Sequence, residues 1–409
     1  MSSVCYLQQS AFDSVCSQAF CERYGMMQTD GKPTICFVAL NAYNLLSGRE
    51  DIGHIGGAEV QQVRMALWLA ARGFPVSFVT LDHGQPDGVS IDGIRVFKAY
   101  SQGAGIRGLR FFWPRWSGLW HAMARANADV YYQRGAGCET GQVAVWCHMH
   151  GRKFVFAAAH DSNWHPGLLA RNHSFKERIL YRVGLSLADA VTVQTRTQQC
   201  MFERNMGLAT VLIRNCGWES LGKASARPWV HSESAPLRVL WIGRISRQKR
   251  VEWLLDLAVA CPSVVFEVVG GANSESSYEA SIRKRAEGIS NVRMRGRTPY
   301  AEMAQYYSRC HLLCCTSACE GFPNTFLEAW SSGVPLLSTF DPDGVISENK
   351  LGWVANDVCG LVSCLKGVIT SPKDWIAASN RVIEYYQSTH TQEVCLPQLQ
   401  DLLVETAGR

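Results

Sequence analysis

Arg244 and Lys249 follow the apolar run RVLWIG and precede the helix-like pattern VEWLLDLAVAC. A strand-to-helix loop carrying Arg and Lys beside a helix N-terminus suits a phosphate, because amides, helix dipole and side-chain charge all favour an anion there. Taken alone the pair also fits two solvated loop charges. Glu320 and Glu328 bracket GFPNTFL, one after the apolar run HLLCCTS and the other inside TFLEAWSSG. The backbone N–H groups around Phe322, Asn324 and Thr325 can approach a phosphate, and fixed carboxylates can accept hydrogen bonds from sugar hydroxyls. Glu328 also stands three residues after Thr325, the spacing of a capping box, which would use its carboxylate locally.

His160 and Asp161 end the apolar run KFVFAAA, where a parallel strand delivers residues to a ligand crevice; the alternative for His160 is a hydrogen-bonded structural histidine. Gly56 and Gly57 open the sequence GGAE, and two glycines let a backbone come close to a phosphate. No GxGxxG occurs there, which removes the main support for a nicotinamide cofactor. Cys310, His311, Cys314, Cys315 and Cys319 lie close together, as do Cys147, His148 and His150, yet neither group has the paired spacing of a structural zinc site, so no metal is expected. The stretch IRGLRFFWPRWSGLW mixes Arg107, Arg110 and Arg115 with five aromatics. It reads either as a contact with an anionic membrane or as a loop and helix packed on a sheet.

These residues need two frames to position them. With 409 residues and 47% hydrophobic content, the chain is long enough for two packed domains. Short apolar runs alternate with amphipathic stretches from residue 34 to about 215, and again from 237, which is the pattern of parallel α/β sheets. The expected layout is a loosely ordered extension over 1–30, a Rossmann-like domain over 31–217, a linker over 218–236, a second Rossmann-like domain over 237–372, and a helical segment over 373–409 that packs back towards the first domain. Forty Lys and Arg against 35 Asp and Glu is a mixed balance, without the excess of a nucleic-acid binder. No apolar run spans a bilayer and the first residues lack a signal pattern, so a cytoplasmic protein is expected, with any membrane contact peripheral and at the inner face.

GRISRQK and EGFPNTFLEAWSSGVP together resemble the retaining glycosyltransferases of family 4, which have the GT-B fold of two facing Rossmann-like domains. The likeness is specific from about Leu237 to Asn356 and more diffuse before that. It implies that Arg244 and Lys249 bind the donor diphosphate, that Glu328 holds the ribose, that Glu320 meets the transferred sugar near its anomeric carbon, and that Arg297 contacts the base. GGAE resembles the family's first-domain glycine loop, and His160 a histidine near the donor sugar. The activity so implied is retaining, metal-independent transfer of a hexose-type residue from a nucleoside diphosphate sugar, a co-substrate rather than a cofactor, to a hydroxyl of a glycan or lipid-linked acceptor in polysaccharide or glycolipid synthesis. The alternatives are a nucleotide-sugar-binding subunit without catalysis, and an epimerase or phosphorylase on the same scaffold.

Overall fold

The computed structural model describes residues 31–49, 56–106, 108–165, 167, 169, 174–217, 229, 236–272 and 276–409. The expected extension over 1–30, Arg107, and all of the expected linker except Trp229 and Pro236 lie outside the described residues.

Two sheets organise the chain. The first has eight strands: β1 (Ile35–Val38), β2 (Val76–Thr80), β3 (Val89–Ile91), β4 (Ile94–Lys98), β5 (Val130–Arg134), β6 (Lys153–Ala157), β7 (Ala190–Val193) and β8 (Val211–Leu212), in the order β3-β4-β2-β1-β5-β6-β7-β8. All neighbours are parallel except β3 and β4. That pair closes on Asp92 and Gly93, both at positive φ, as a two-residue hairpin requires. The second sheet is wholly parallel: β9 (Arg238–Ile242), β10 (Val265–Val269), β11 (Val292–Gly296), β12 (Leu312–Cys315), β13 (Leu336–Ser338) and β14 (Gly352–Val354), ordered β11-β10-β9-β12-β13-β14. Both sheets reverse their strand order once, between β1 and β5 and between β9 and β12. Open parallel sheets bind ligands at the carboxyl ends of the strands beside such a reversal.

Helices cover both faces of each sheet, which is why β1, β2 and β5 are buried along their whole length and read as apolar runs rather than alternating ones. Those used below are α1 (Gly57–Ala71), α2 (Ser117–Ala126), α3 (Cys138–Met149), α4 (Phe175–Ser186), α5 (Arg196–Met206), α6 (Val251–Ala260), α7 (Ser277–Glu287), α8 (Met303–Arg309), α9 (Asn324–Ser331), α10 (Val358–Thr370), α11 (Pro372–Thr389) and α12 (Gln392–Gly408). Side chains cap several of them: Ser174 and Glu177 form a capping box on α4, and Thr195 accepts from the Gln198 amide on α5.

The last two helices tie the halves together. Trp375, Val382 and Tyr386 of α11 pack in the second domain's core, whereas Leu396, Leu399 and Leu403 of α12 pack with Ile35, Phe37 and Trp68 in the first. The chain crosses back at His390, whose carbonyl accepts from the Gly217 amide and whose Nδ1 lies 2.8 Å from the Asn215 carbonyl.

Candidate active site

The second domain supplies the floor of the cleft from the ends of β9 and β12. Gly243 follows β9 and meets Gly270, which follows β10: a Cβ on Gly270 would lie 1.9 Å from the Gly243 carbonyl oxygen, so only glycine lets the two loops touch. Beyond them, residues 247–249 form a 3₁₀ turn ahead of α6. Lys249 is held there by its own carbonyl, which accepts from Thr316 Oγ1 at 2.6 Å, and its ammonium is paired with the Glu320 carboxylate. That pair is largely shielded, with the side chains 24% and 11% exposed. Arg244, on the same loop, faces solvent.

His160 stands on the opposite lip, at the end of β6. Its Nε2 is 2.7 Å from Gln248 Nε2, an amide nitrogen that also donates to the Cys319 carbonyl at 2.6 Å. Because an amide nitrogen only donates, His160 Nε2 must accept, and the imidazole proton belongs on Nδ1. Gln248 thus bridges the cleft one residue before Lys249, and Cys319 lies one residue before Glu320. Asn163 Oδ1 fixes the lip by accepting from the amides of Ala159 and His160. The adjacent Asp161 accepts from Gln198 Nε2 at 3.0 Å. Burial pushes the Asp161 carboxyl above its ordinary value against the pull of Gln198 and His160, and the charge on Glu320 adds to the rise. Burial likewise pushes the Cys319 thiol up to about 12, so it is no nucleophile at neutral pH.

A second cluster holds Glu328. Its carboxylate accepts from Tyr300 Oη at 2.8 Å and Tyr307 Oη at 2.7 Å, and Arg64 Nη2 lies 3.6 Å away. Arg64 is a fully buried residue of α1 in the first domain, where it also donates to Tyr300 Oη and to the Cys216 carbonyl. The capping-box alternative for Glu328 is not realised. Helix α9 begins after Pro323, so Thr325 is its second residue and does not cap it.

The remaining sequence-predicted residues divide. Gly57 opens α1 and its carbonyl accepts from Asn324 Nδ2 at 3.0 Å, while Gln61 Nε2 donates to Asn324 Oδ1 at 3.0 Å. The N-termini of α1 and α9 therefore meet across the cleft, and both direct a positive dipole end into it. Asn324's side chain serves that junction. The Phe322 amide, expected near a phosphate, instead donates to Gln194 Oε1 at 3.2 Å, and its carbonyl accepts from Asn215 Nδ2 at 3.0 Å, both first-domain partners. Gly56 caps α1, and Thr325 sits in the first turn of α9. Arg297 follows β11, two strands from the reversal point, where it is exposed and donates to the Ala272 carbonyl. Sequence reasoning missed Gln61, Arg64, Gln248 and Tyr300.

Comparisons with known proteins fit this geometry. Residues 236–371 match the family model described as Glycosyl transferases group 1, and residues 56–216 that of Glycosyl transferase 4-like domain. The GtfA subunit of UDP-N-acetylglucosamine–peptide N-acetylglucosaminyltransferase from Streptococcus pneumoniae is 26% identical over 113 residues, 27% of this chain and 22% of that protein. The matches to curated relatives span less than a third of their length, 22%, 24% and 31%. Among solved structures, sucrose-phosphate synthase of Thermosynechococcus elongatus superposes with a TM-score of 0.73 at 18% identity, over 91% of this chain and 98% of that one. HepE of Anabaena, in complex with UDP-glucose, gives 0.69 at 18% identity, over 91% and 100%. Likeness at that identity establishes a shared GT-B architecture.

Proposed function

We propose that this chain, which belongs to the glycosyl transferases group 1 family, moves a sugar with retention from a nucleoside diphosphate sugar to a hydroxyl of a glycan or lipid-linked acceptor. The observation that carries the reading is the Lys249–Glu320 pair at the reversal point of the second sheet, joined through Gln248 to His160 on the facing domain. A nucleotide-sugar complex of a protein with the same architecture supports the donor class.

The donor diphosphate lies over the loop of Arg244 and Lys249, near the facing N-termini of α1 and α9. Negative charge grows on the leaving phosphate as the glycosidic bond breaks, and fixed cations and helix amides meet it without reorganising. That removes the need for a bridging divalent ion. Glu320 faces the sugar and stabilises positive charge at the anomeric carbon. Double displacement needs two carboxyl groups placed at the reacting carbon, whereas Glu320 is the one carboxylate assigned there. Attack from the face the phosphate leaves is the better fit, with the departing phosphate taking the acceptor proton. His160, its Nε2 engaged by Gln248, lines the donor-sugar side of the cleft. Glu328 takes a ribose hydroxyl on lone pairs that Tyr300 and Tyr307 leave open.

Incubating the chain with UDP-, GDP- and ADP-sugars and hydroxyl acceptors, with and without EDTA, tests this. The expected product keeps the donor's anomeric configuration by NMR, and its yield is insensitive to chelator. An inverted product, or activity lost to EDTA and restored by manganese, would refute retention or metal independence respectively.

A further inference from the structure

Eleven large apolar side chains are exposed among the described residues, and six of them belong to one surface: Ile106, Leu109, Phe112, Trp113, Phe175 and Ile179, exposed by 46 to 70%. The other five are scattered over α3, α6, α11 and α12. Two segments build the surface. One is Ile106 with residues 108–116, which end in the π-helical turn Phe111–Trp116 ahead of α2, and the other is residues 175–182 of α4. They touch, since Lys176 Nζ stands 3.7 Å from the centroid of the Phe111 ring.

The aromatics are presented on a rigid base. Phe111 packs edge-on against Phe112 and Trp116, Phe112 stacks on Trp116, and Trp116 meets Trp120, whose Nε1 donates to the Gln142 carbonyl. The inner rings anchor the turn while Phe112 and Trp113 project outward. On α4, Phe175 and Ile179 are one turn apart and share a face with Arg182. The packed-loop reading of this stretch thus holds for Trp116 and Trp120 but not for Phe112 and Trp113.

Charge says what covers the surface. Arg110, Arg115, Lys176, Arg178 and Arg182 lie in these two segments. Of the nearby acids, Glu177 is turned back onto the amide and hydroxyl of Ser174, and Glu139 stands at the start of α3. Exposed aromatic and aliphatic side chains rimmed by cations match the interface of an anionic bilayer, where rings settle at headgroup level and Lys and Arg meet lipid phosphates. The position adds meaning. The turn follows β4, and α4 comes after β6 and His160, so the surface lies along the carboxyl edge of the first sheet that also forms the lip of the cleft.

We infer that this lip docks on an anionic lipid surface and so presents the cleft to acceptors carried by that surface. The docking stands without the transfer reading; the second clause rests on it. The test is co-sedimentation of the full chain with vesicles of phosphatidylcholine alone and with about 30 mol% phosphatidylglycerol, enough anionic lipid for a strong surface potential. Binding is expected only to the anionic vesicles and weakens as salt rises. Phe112→Ser/Trp113→Ser should lower it at least about tenfold, and Lys176→Ala about fivefold, the equivalent of one surface cation. A control double variant at scattered exposed positions, Val259→Ser/Val404→Ser, should bind like the parent. No binding of the parent chain, equal loss in the control, or oligomers that dissociate in the Phe112/Trp113 variant would overturn the inference, the last by assigning the surface to a second copy. Donor affinity of the same variants, read by calorimetry, should stay unchanged; its loss would implicate the cleft instead.

Discussion

Replacing Glu320 by glutamine should strengthen the binding of a bare nucleoside diphosphate while it abolishes most turnover. Without ligand, the Lys249 ammonium is committed to the Glu320 carboxylate. A diphosphate arriving over this loop must share that ammonium or take it. Hydrogen bonds to charged groups net roughly 1.5–3 kcal/mol, and the incoming phosphate restores most of what the carboxylate gives up, which leaves a competition penalty of about 1 kcal/mol. Removing the carboxylate's charge lifts that penalty, so Kd should fall about fivefold. Lys249→Ala should raise Kd by about tenfold or more, since no rival remains but neither does the donor group. Arg244→Ala should weaken binding without any dependence on Glu320, because Arg244 stands exposed on the loop and outside the ion pair.

Titration calorimetry with UDP, GDP or ADP on the parent and on both single and double variants reads the competition directly. With the intact sugar donor the gain from Glu320→Gln should shrink, because the same carboxylate faces the sugar, and kcat should fall by far more than KM changes. If Glu320→Gln weakens nucleoside diphosphate binding as much as Lys249→Ala does, the two residues hold the phosphate as one unit. The competition argument then fails, even where turnover is lost.

Two further outcomes follow from buried groups. Arg64→Met should cost about 3–5 kcal/mol of stability, because it strands the Glu328 charge with only tyrosine hydroxyls, and Arg64→Met/Glu328→Met should recover part of that; denaturant midpoints that rank the double variant below the single one would contradict it. His390 is fully buried, which pulls its pKa down to about 4, and its Nε2 has no partner among the described residues. The native imidazole stays neutral while the unfolded one takes a proton below about 6.5. The stabilisation is therefore complete above that pH and is lost, by about 3 kcal/mol, as pH falls towards 4. Asp161 acts with the opposite sign, since its raised carboxyl favours the fold at low pH. His390→Asn keeps a donor for the Asn215 carbonyl and leaves Asp161 untouched, so comparing its midpoint with the parent's across pH 4.5 to 7, roughly the span between those two values, isolates His390. An unchanged slope would remove the assignment.

The central strands were legible because they are shielded on both faces and so read as unbroken apolar runs. The two edge strands of the first sheet are instructive. β3 is half-exposed, only three residues long and went unread, its one local mark being the Asp92-Gly93 turn; β8 has two residues and no signal of its own. Lys249, Glu320 and His160 were legible for a topological reason: each follows a strand, and parallel strands all deliver their carboxyl ends to one edge. Arg64 and Gln61 illustrate the opposite case. In GAEVQQVRMALWLAA they read as the solvated side of an amphipathic helix, yet Gln61, Gln62 and Arg64 are all within 2% of full burial. The helix is covered twice, by α12 from the far end of the chain and by the second domain, and no local pattern can announce a partner more than 200 residues away. Glu328 shows how a local rule loses to such a partner. The spacing Thr325 to Glu328 satisfies a capping box, but the N-cap is Pro323, two residues too early for it. Tyr300, Tyr307 and Arg64, drawn from two domains, then take the carboxylate. A carboxylate held from both domains beside the cleft fixes how those domains meet.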